Sequence, residues 1–150
     1  TMSLIEAAVT ATGPPFNPEP YSGGVANLQV ADGTVALWHQ EWQDTPVEIK
    51  YVFDSPVELT GYVVAPPPAD VFSGPNGWEV RAYKHGMSRD PWNRVYQAVD
   101  TPGADRGWDG AGAKTFSFPA PLSGVGTVTV TFSSARSLTD IGLSQLYFVG

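Results

Sequence analysis

Short runs of alternating apolar and polar residues, separated by turn residues, constrain the fold of this chain most. In the clearest run, VEIKYVF, the residues Val47, Ile49, Tyr51 and Phe53 fall on one face of a strand and the intervening residues on the other. The 16 glycines and 14 prolines are spread over the 150 residues, which leaves almost no room for helices. The sequence therefore predicts an all-β protein.

Further runs of the same kind raise the number of predicted strands to about eight. They are Leu4–Ala11, Val57–Ala65, Trp78–Lys84, Val95–Val99, Lys114–Phe118, Gly126–Phe132 and Gly142–Val149. Strands at this spacing, without helices between them, favour an antiparallel sandwich or barrel over a parallel sheet. We predict a single domain over residues 1–150, part of a longer chain or assembly. Its predicted core consists of Ile49, Tyr51, Phe53, Val80, Val128, Val130, Phe132, Leu146 and Phe148.

Charge and composition exclude several functions. Fifteen acidic against eight basic residues give a net charge of -7, so nucleic acid and anionic membrane surfaces are not expected partners. The apolar runs are far shorter than the ~20 residues that span a bilayer, so membrane insertion is not expected either. The absence of cysteine rules out thiol chemistry and Cys-ligated metals.

The segment ALWHQEWQDT combines tryptophan and histidine in a way that raises the question of a binding site. His39 lies between Trp38 and Trp42 in a chain that has two histidines. The loop Asp100–Lys114, rich in Gly and Asp, carries Trp108, which either plugs the end of the sandwich or faces a ligand. The other long loop, Ala65–Gly77, is stiffened by prolines, so we expect it to be ordered.

The order of these features resembles a known family. ANLQVADG, WHQEW, VEIKYVF, a loop ending in NG, WEVRAYKHG, WNRV and GLSQLYFVG follow one another as in discoidin or coagulation factor 5/8 type C domains, and most of all as in the family 32 carbohydrate-binding modules. The resemblance covers about residues 26–150. It implies an antiparallel jelly-roll β-sandwich of the galactose-binding type, with a ligand site in the loops at one end and a structural Ca²⁺ nearby.

The resemblance also implies which residues bind the ligand. His39, Trp42 and Asn76 match the positions that contact sugar in similar modules, and Trp38 matches a core residue below the site. An indole suits the apolar face of a pyranose, while His and Asn can address its hydroxyl groups. The family pattern places an Arg about five residues before the Asn, where this chain has Val71, so a strong hydroxyl ligand is missing.

The resemblance further implies a calcium site, formed by a DG turn, by a hydroxyl group that follows the turn and by a Glu on the last strand. Asp32 matches the turn, whereas Ala36 stands in place of the hydroxyl and Gln145 in place of the Glu. Because Ca²⁺ prefers six to eight hard oxygen ligands, these two departures predict weak binding.

Catalysis is not expected, because the serines lack a G-x-S-x-G context and the paired Asp105 and Asp109 lie on a glycine-rich loop without rigid support. We interpret His85 as a solvated hairpin residue and Trp92 as an aromatic that packs at the start of a strand. Two functions remain open. The first is a carbohydrate-binding module that attaches an enzyme or adhesin to a glycan. The second is a structural or protein-docking jelly roll, as in a phage tail or spike, with a degenerate sugar site. Either favours an extracellular, cell-surface or virion location.

Overall fold

A computed structural model describes residues 4–11, 28–29, 38–41, 47–65, 75–88, 90–100, 113–135, 140–143 and 145–150. Within these ranges the chain forms eight strands, and residues 28–29 and the turn Pro91–Asn93 have 3-10 geometry. The strands are β1 (Ala8–Ala11), β2 (Trp38–Glu41), β3 (Val47–Ala65), β4 (Pro75–Lys84), β5 (Arg94–Asp100), β6 (Lys114–Ala135), β7 (Asp140–Leu143) and β8 (Gln145–Val149). Every strand pair is antiparallel. No helix in the described part of the chain is long and apolar enough to cross a bilayer.

Two long strands, β3 and β6, build both layers of the sandwich. The first half of β3 pairs with β1 and with the second half of β6, which also pairs with β4, and β5 pairs with β4. The second half of β3 pairs with β8 and with the first half of β6. The register shifts between Val52 and Val57 mark the point where β3 changes layer, and Gly124 in β6, with φ +69°, lies beside it. We call these the front layer and the back layer.

Aromatic side chains show that the two layers face each other. The ring of Tyr51, in the front half of β3, lies edge-on to Phe148 of β8 with 5.0 Å between centroids. Trp78 of β4 donates its indole N–H to the hydroxyl of Tyr62 in the back half of β3, at 2.8 Å. Tyr51 donates its own hydroxyl to the carbonyl oxygen of Leu146 at 2.5 Å. The core therefore lies between the layers and is tied across them by hydrogen bonds as well as by apolar packing.

The predicted core is confirmed. All nine residues named from the alternation are at most 2% exposed: Ile49, Tyr51, Phe53, Val80, Val128, Val130, Phe132, Leu146 and Phe148. Alternation succeeds most clearly in the front half of β3, where Ile49, Tyr51 and Phe53 are buried and the residues between them are not, whereas β8 is buried at four of its five residues. The fold class, an antiparallel β-sandwich of about eight strands, is also confirmed.

The strand boundaries differ from the predicted ones in several places. Two pairs of predicted strands are continuous, as β3 and β6, because the chain keeps extended geometry where it turns between layers. The predicted strand Gly142–Val149 is two strands, β7 and β8, and β2 was not predicted at all. Strand β4 begins at Pro75, so the predicted loop Ala65–Gly77 is shorter, and Asn76 lies in a strand rather than in a turn.

The two ends of the sandwich differ in construction. At one end, β3 and β6 change layer at residues 54–56 and 123–124, and the turn of residues 85–93 joins β4 to β5. The backbone N–H of His85 donates to the carbonyl of Gly124 at 2.9 Å, which joins this turn to β6. We call this the corner end. At the opposite end, which we call the open end, strands begin or finish at Val47, Ala65, Pro75, Asp100, Lys114, Ala135 and Gln145.

Candidate functional site

The open end brings together the backbone positions of the predicted ligand-binding residues. His39 lies in β2, which forms a two-stranded ribbon with β7, and Asn76 is the second residue of β4. The connections 42–46 and 136–139, of five and four residues, tether this ribbon to β3 and β6 at the open end. Five residues span at most about 18 Å, so the ribbon stays close to that end.

Trp42 and Trp108 lie outside the described residues, but their flanking strands are described. Trp42 follows Glu41 of β2 and precedes Val47 of β3. The connection that carries Trp108 leaves β5 at Asp100 and enters β6 at Lys114, both at the open end. The backbone of His39 and Asn76 therefore belongs to strands at this end of the sandwich, and the strands that flank Trp42 and Trp108 begin or finish there. Their side chains, including those of His39 and Asn76, lie outside what the structure describes.

A buried aromatic cluster supports this end from below. Trp78, two residues after Asn76, is fully buried, and its indole is edge-on to Phe116 at 5.4 Å between centroids. Tyr62 stacks on the same phenyl ring at 5.2 Å and accepts the indole N–H of Trp78. Because an indole N–H that is buried without a partner is costly, this hydrogen bond fixes the orientation of Trp78. Over residues 78–83 β4 runs in regular register against β6, whereas the register shifts before Trp78 place Asn76 at an irregularity of the strand pair.

Sequence reasoning assigned the anchoring role to Trp38 and did not single out Trp78. The backbone of Trp38 pairs with Leu143, which is fully buried, but the side chain of Trp38 lies outside the described residues, so its predicted core position stays a prediction. The signal for Trp78 was present in the sequence, because Trp78, Val80 and Ala82 alternate toward one face of β4 and all are fully buried.

Of the two predicted calcium ligands, only Gln145 is described. It is the first residue of β8, pairs with Ala65 and is 8% exposed. Its location on the last strand agrees with the position that the resemblance implies, but an amide supplies no negative charge. Among the described residues no three His, Cys, Asp or Glu side chains come together in a way that could hold a metal ion, and Asp32 is outside them. The described donor set therefore does not assemble a calcium site.

A shallow groove of about 300 Å³ lies on the back layer, away from both predicted sites. It is lined by Thr60, Ser117, Phe118, Pro119, Ala120, Pro121 and Gly150. The groove exists because four residues of β6 bulge out opposite the single residue Thr60 of β3. Its side-chain polar groups are two hydroxyls, and that of Thr60 donates to the carbonyl of Val149 at 3.3 Å. This lining provides neither a charged group nor an exposed ring to orient a ligand.

Comparison with known proteins was informative only at the level of structure. No protein-family model matches the sequence, and none of the curated protein sequences matches it. The family 32 module of NanJ from Clostridium perfringens, solved in complex with galactose, superposes with a TM-score of 0.69 over 100% of both chains at 15% identity. The fold is that of a family 32 carbohydrate-binding module.

Two further solved structures share this fold. An F5/8 type C domain from Bacteroides fragilis matches with a TM-score of 0.64 at 16% identity, over 95% of this chain and 91% of that one. A Clostridium perfringens ZmpB structure that contains two family 32 modules and an M60 catalytic domain matches with a TM-score of 0.72 at 13% identity. It covers 99% of this chain and 16% of that one. The expected galactose-binding-type sandwich is therefore confirmed, and the match extends over the whole chain.

The structure contradicts the role predicted for one residue, Trp92. Trp92 was expected to pack at the start of β5, but its side chain is 76% exposed. The reason lies in the 3-10 turn Pro91–Asn93, which turns Asn93 inward, to 4% exposure, and Trp92 outward. His85, expected in a solvated hairpin, does lie in the β4–β5 turn, where it is partly buried and its Nε2 is 3.3 Å from the carbonyl of Asp54.

Proposed function

We propose that this chain is a non-catalytic carbohydrate-binding module that recognises a pyranose at the open end through His39, Trp42 and Asn76, with Trp108 beside them. The observation that carries the proposal is topological. Four positions, separated along the chain by 3, 34 and 32 residues, belong to strands that begin or finish at one end of the fold or to the connections between them. The likeness to a module solved with galactose supports the same class of ligand.

The affinity of such a site follows from simple magnitudes. Covering ~60 to 80 Å² of apolar sugar surface with one indole gives about 1.5 to 2 kcal/mol. Two or three hydrogen bonds of ~1 kcal/mol each bring the total near 4 kcal/mol, which corresponds to a Kd of about 1 mM. Because Val71 stands where similar modules carry an Arg, we expect no stronger charged ligand for the hydroxyls.

Weak binding of this kind gains strength from multiplicity. Several modules on one chain raise the effective concentration of each contact. The ZmpB structure, which joins two such modules to a catalytic domain, supports the idea that this module is likewise attached to an enzyme or an assembly. We place the module outside the cell or at a surface, because glycans are displayed there.

The test is a titration of the isolated domain with galactose, N-acetylgalactosamine, glucose and mannose, followed by the indole N–H signals in NMR spectra. We expect at least one sugar to shift the signal of Trp42. Trp42→Ala should abolish binding at the open end with an unchanged melting temperature, whereas Trp42→Phe, which keeps an aromatic face, should retain part of it. Trp38→Ala should cost roughly 3 to 5 kcal/mol of stability, as expected for a large core side chain.

One observation favours a second function. Val71 removes the charged sugar ligand that the family pattern expects, as in a fold retained for structural or protein-docking purposes. If no sugar in the panel, and no glycan on an array, changes the signals of Trp42 and His39, the open-end carbohydrate site is wrong and a structural role of the open end takes its place.

A further inference from the structure

Trp92 is the most exposed large apolar side chain among the described residues, and no packing contact with another described residue accounts for it. It is 76% exposed, compared with 54% for Met87 and 38% for Val52, the other two described residues of this kind. It lies at the corner end, in the turn between β4 and β5. His39 and Asn76 belong to the open end, so Trp92 is separated from the proposed ligand site by the length of the sandwich.

The turn that carries Trp92 is well ordered by hydrogen bonds. The side-chain amide of Asn93, 4% exposed, donates to the carbonyl and the hydroxyl of Ser88 at 3.1 and 3.2 Å. The hydroxyl of Ser88 donates in turn to the carboxylate of Asp90. The backbone N–H of Asn93 donates to the carbonyl of Asp90 at 2.9 Å. These bonds hold Asp90 and Asn93, the described residues on both sides of Trp92, against Ser88 and against each other.

The next residue extends this support into the sheet. Arg94 begins β5 and pairs with Tyr83 of β4, which is 5% exposed. On the other side of the turn, Gly86 has φ +74°, and the backbone N–H of Met87 donates to the carbonyl of Lys84 at 3.3 Å. A four-residue turn closes tightly when its third residue, here Gly86, has a positive φ. The indole is therefore presented on a preformed scaffold.

The size of the exposed apolar surface distinguishes between possible ligands. A stable protein interface buries about 800 Å² on each partner, and one indole with one neighbouring Met is far smaller than that. An anionic bilayer is disfavoured by the net charge of -7. A single pyranose ring presents an apolar face that one indole can cover. Hydroxyl groups at its rim would find the carboxylate of Asp90 and the hydroxyl of Ser88 in the same turn.

We propose that Trp92 forms a second carbohydrate-binding site at the corner end, in which a pyranose stacks on the indole beside Ser88 and Asp90. The module then has two ligand sites at opposite ends and can link two glycan chains. The inference does not depend on the open-end site, because it rests on the exposure of Trp92 and the order of its turn. Its ligand class is a pyranose within an oligosaccharide.

The experiment follows the indole N–H signals of the five tryptophans in NMR spectra. The signals of Trp92 and Trp42 are assigned with Trp92→Phe and Trp42→Phe. The probes are galactose, N-acetylgalactosamine, and glucose and mannose oligosaccharides. We expect at least one of them to shift the Trp92 signal saturably, both in the wild type and in Trp42→Ala. If none shifts it, the inference is wrong.

Variants on the Trp42→Ala background measure the contribution of the ring. Adding Trp92→Ala should weaken the remaining binding by at least about tenfold, the loss expected when one apolar stacking surface is removed. The matched control is Met87→Ala, which removes an exposed apolar side chain from the same turn but no ring, and it should leave the affinity unchanged. Both variants should keep the wild-type melting temperature, since both side chains are mostly exposed. Equal affinity of the Trp92→Ala and Met87→Ala double variants would overturn the inference.

The pattern of shifted signals separates the two proposed sites. A sugar that shifts Trp92 and leaves Trp42 unchanged supports the corner-end site and contradicts the open-end one. The reverse pattern contradicts the corner-end site alone, and no shift at either residue contradicts both. A shift of Trp92 with vesicles of phosphatidylcholine and phosphatidylserine, in the absence of any shift with sugars, would replace the pyranose by a lipid surface.

Discussion

Tyr51 provides a direct test of how the two layers are held together. Its hydroxyl donates to the carbonyl of Leu146 at 2.5 Å, and the side chain is 1% exposed. Tyr51→Phe removes the hydroxyl but keeps the ring that lies edge-on to Phe148. Because one buried hydrogen bond is lost and its acceptor loses a partner, we expect the free energy of unfolding at pH 7 to fall by about 1 to 3 kcal/mol.

The same residue predicts how stability depends on pH. Burial raises the pKa of Tyr51 well above 10.0 in the folded protein. In the unfolded chain the phenol loses its proton near pH ~10, so above that value the folded state holds a proton that the unfolded state has released. The stabilisation is complete below pH ~10 and is lost as the pH rises toward the folded pKa, with a slope of up to about 1.4 kcal/mol per pH unit.

Tyr51→Phe lacks this ionisable group, so its stability should decline less steeply above pH ~10 than that of the wild type. The difference in stability between the two proteins should therefore narrow as the pH rises above ~10. Urea unfolding followed by tryptophan fluorescence, at intervals between neutral and strongly alkaline pH, measures both curves.

Tyr147→Phe is the matched control, because Tyr147 lies on the same strand as Leu146 and Phe148 but is only partly buried. It should change the free energy of unfolding at pH 7 by less than about 0.5 kcal/mol. Two results would refute the reasoning for Tyr51: a Tyr51→Phe protein as stable as the wild type at pH 7, or one whose alkaline slope equals that of the wild type.

Three further predictions concern the core, the corner end and the metal. Val130→Asp buries an unpaired carboxylate at a fully buried position, so far-UV circular dichroism should show an unfolded chain. Gly126→Ala places a Cβ 2.3 Å from the backbone of His85, whereas a Cβ at Gly86 meets open space and is strained only by the φ of +74°. Gly126→Ala should therefore lower the midpoint of urea unfolding more than Gly86→Ala does. If Ca²⁺ binds at Asp32, a hundredfold excess of Ca²⁺ over its Kd should raise the free energy of unfolding by about 2.7 kcal/mol. A melting temperature that changes neither with millimolar Ca²⁺ nor with a chelator would contradict this.

The sequence predicted the interior better than the connections between strands. Alternation in β3, β4, β6 and β8 identified core residues correctly, because burial on one face of a strand leaves a period of two in the sequence. It could not show that β3 and β6 each continue through both layers. Residues 54–56, where β3 changes layer, are all exposed, so the change of layer leaves no mark on the alternation of buried residues on either side. Strand β2 of the ribbon was missed, since its four residues, WHQE, do not alternate between apolar and polar.

Trp92 and Trp78 show the limit of reading single aromatic residues. Both are tryptophans close to the start of a strand, yet one is 76% exposed and the other fully buried. For Trp78 the strand's own alternation decides the direction of the side chain. For Trp92 the direction follows from a 3-10 turn and from the buried amide of Asn93, which together depend on contacts with Ser88 and Asp90. Such contacts are not visible as a period in the sequence.

The residues that stabilise the fold and the candidate binding residues belong to different parts of the chain. A shared fold therefore does not determine a shared function. The aromatic core and the layer crossings hold the sandwich together, whereas the predicted binding residues belong to β2, to the start of β4 and to connections between strands. Connections tolerate substitution more readily than a packed core, and Val71 stands on one of them where the family pattern has an Arg. A neighbour solved with galactose shares the fold at 15% identity. It follows that only variants at the open end and at Trp92, measured against sugars, can distinguish a binding module from a structural one.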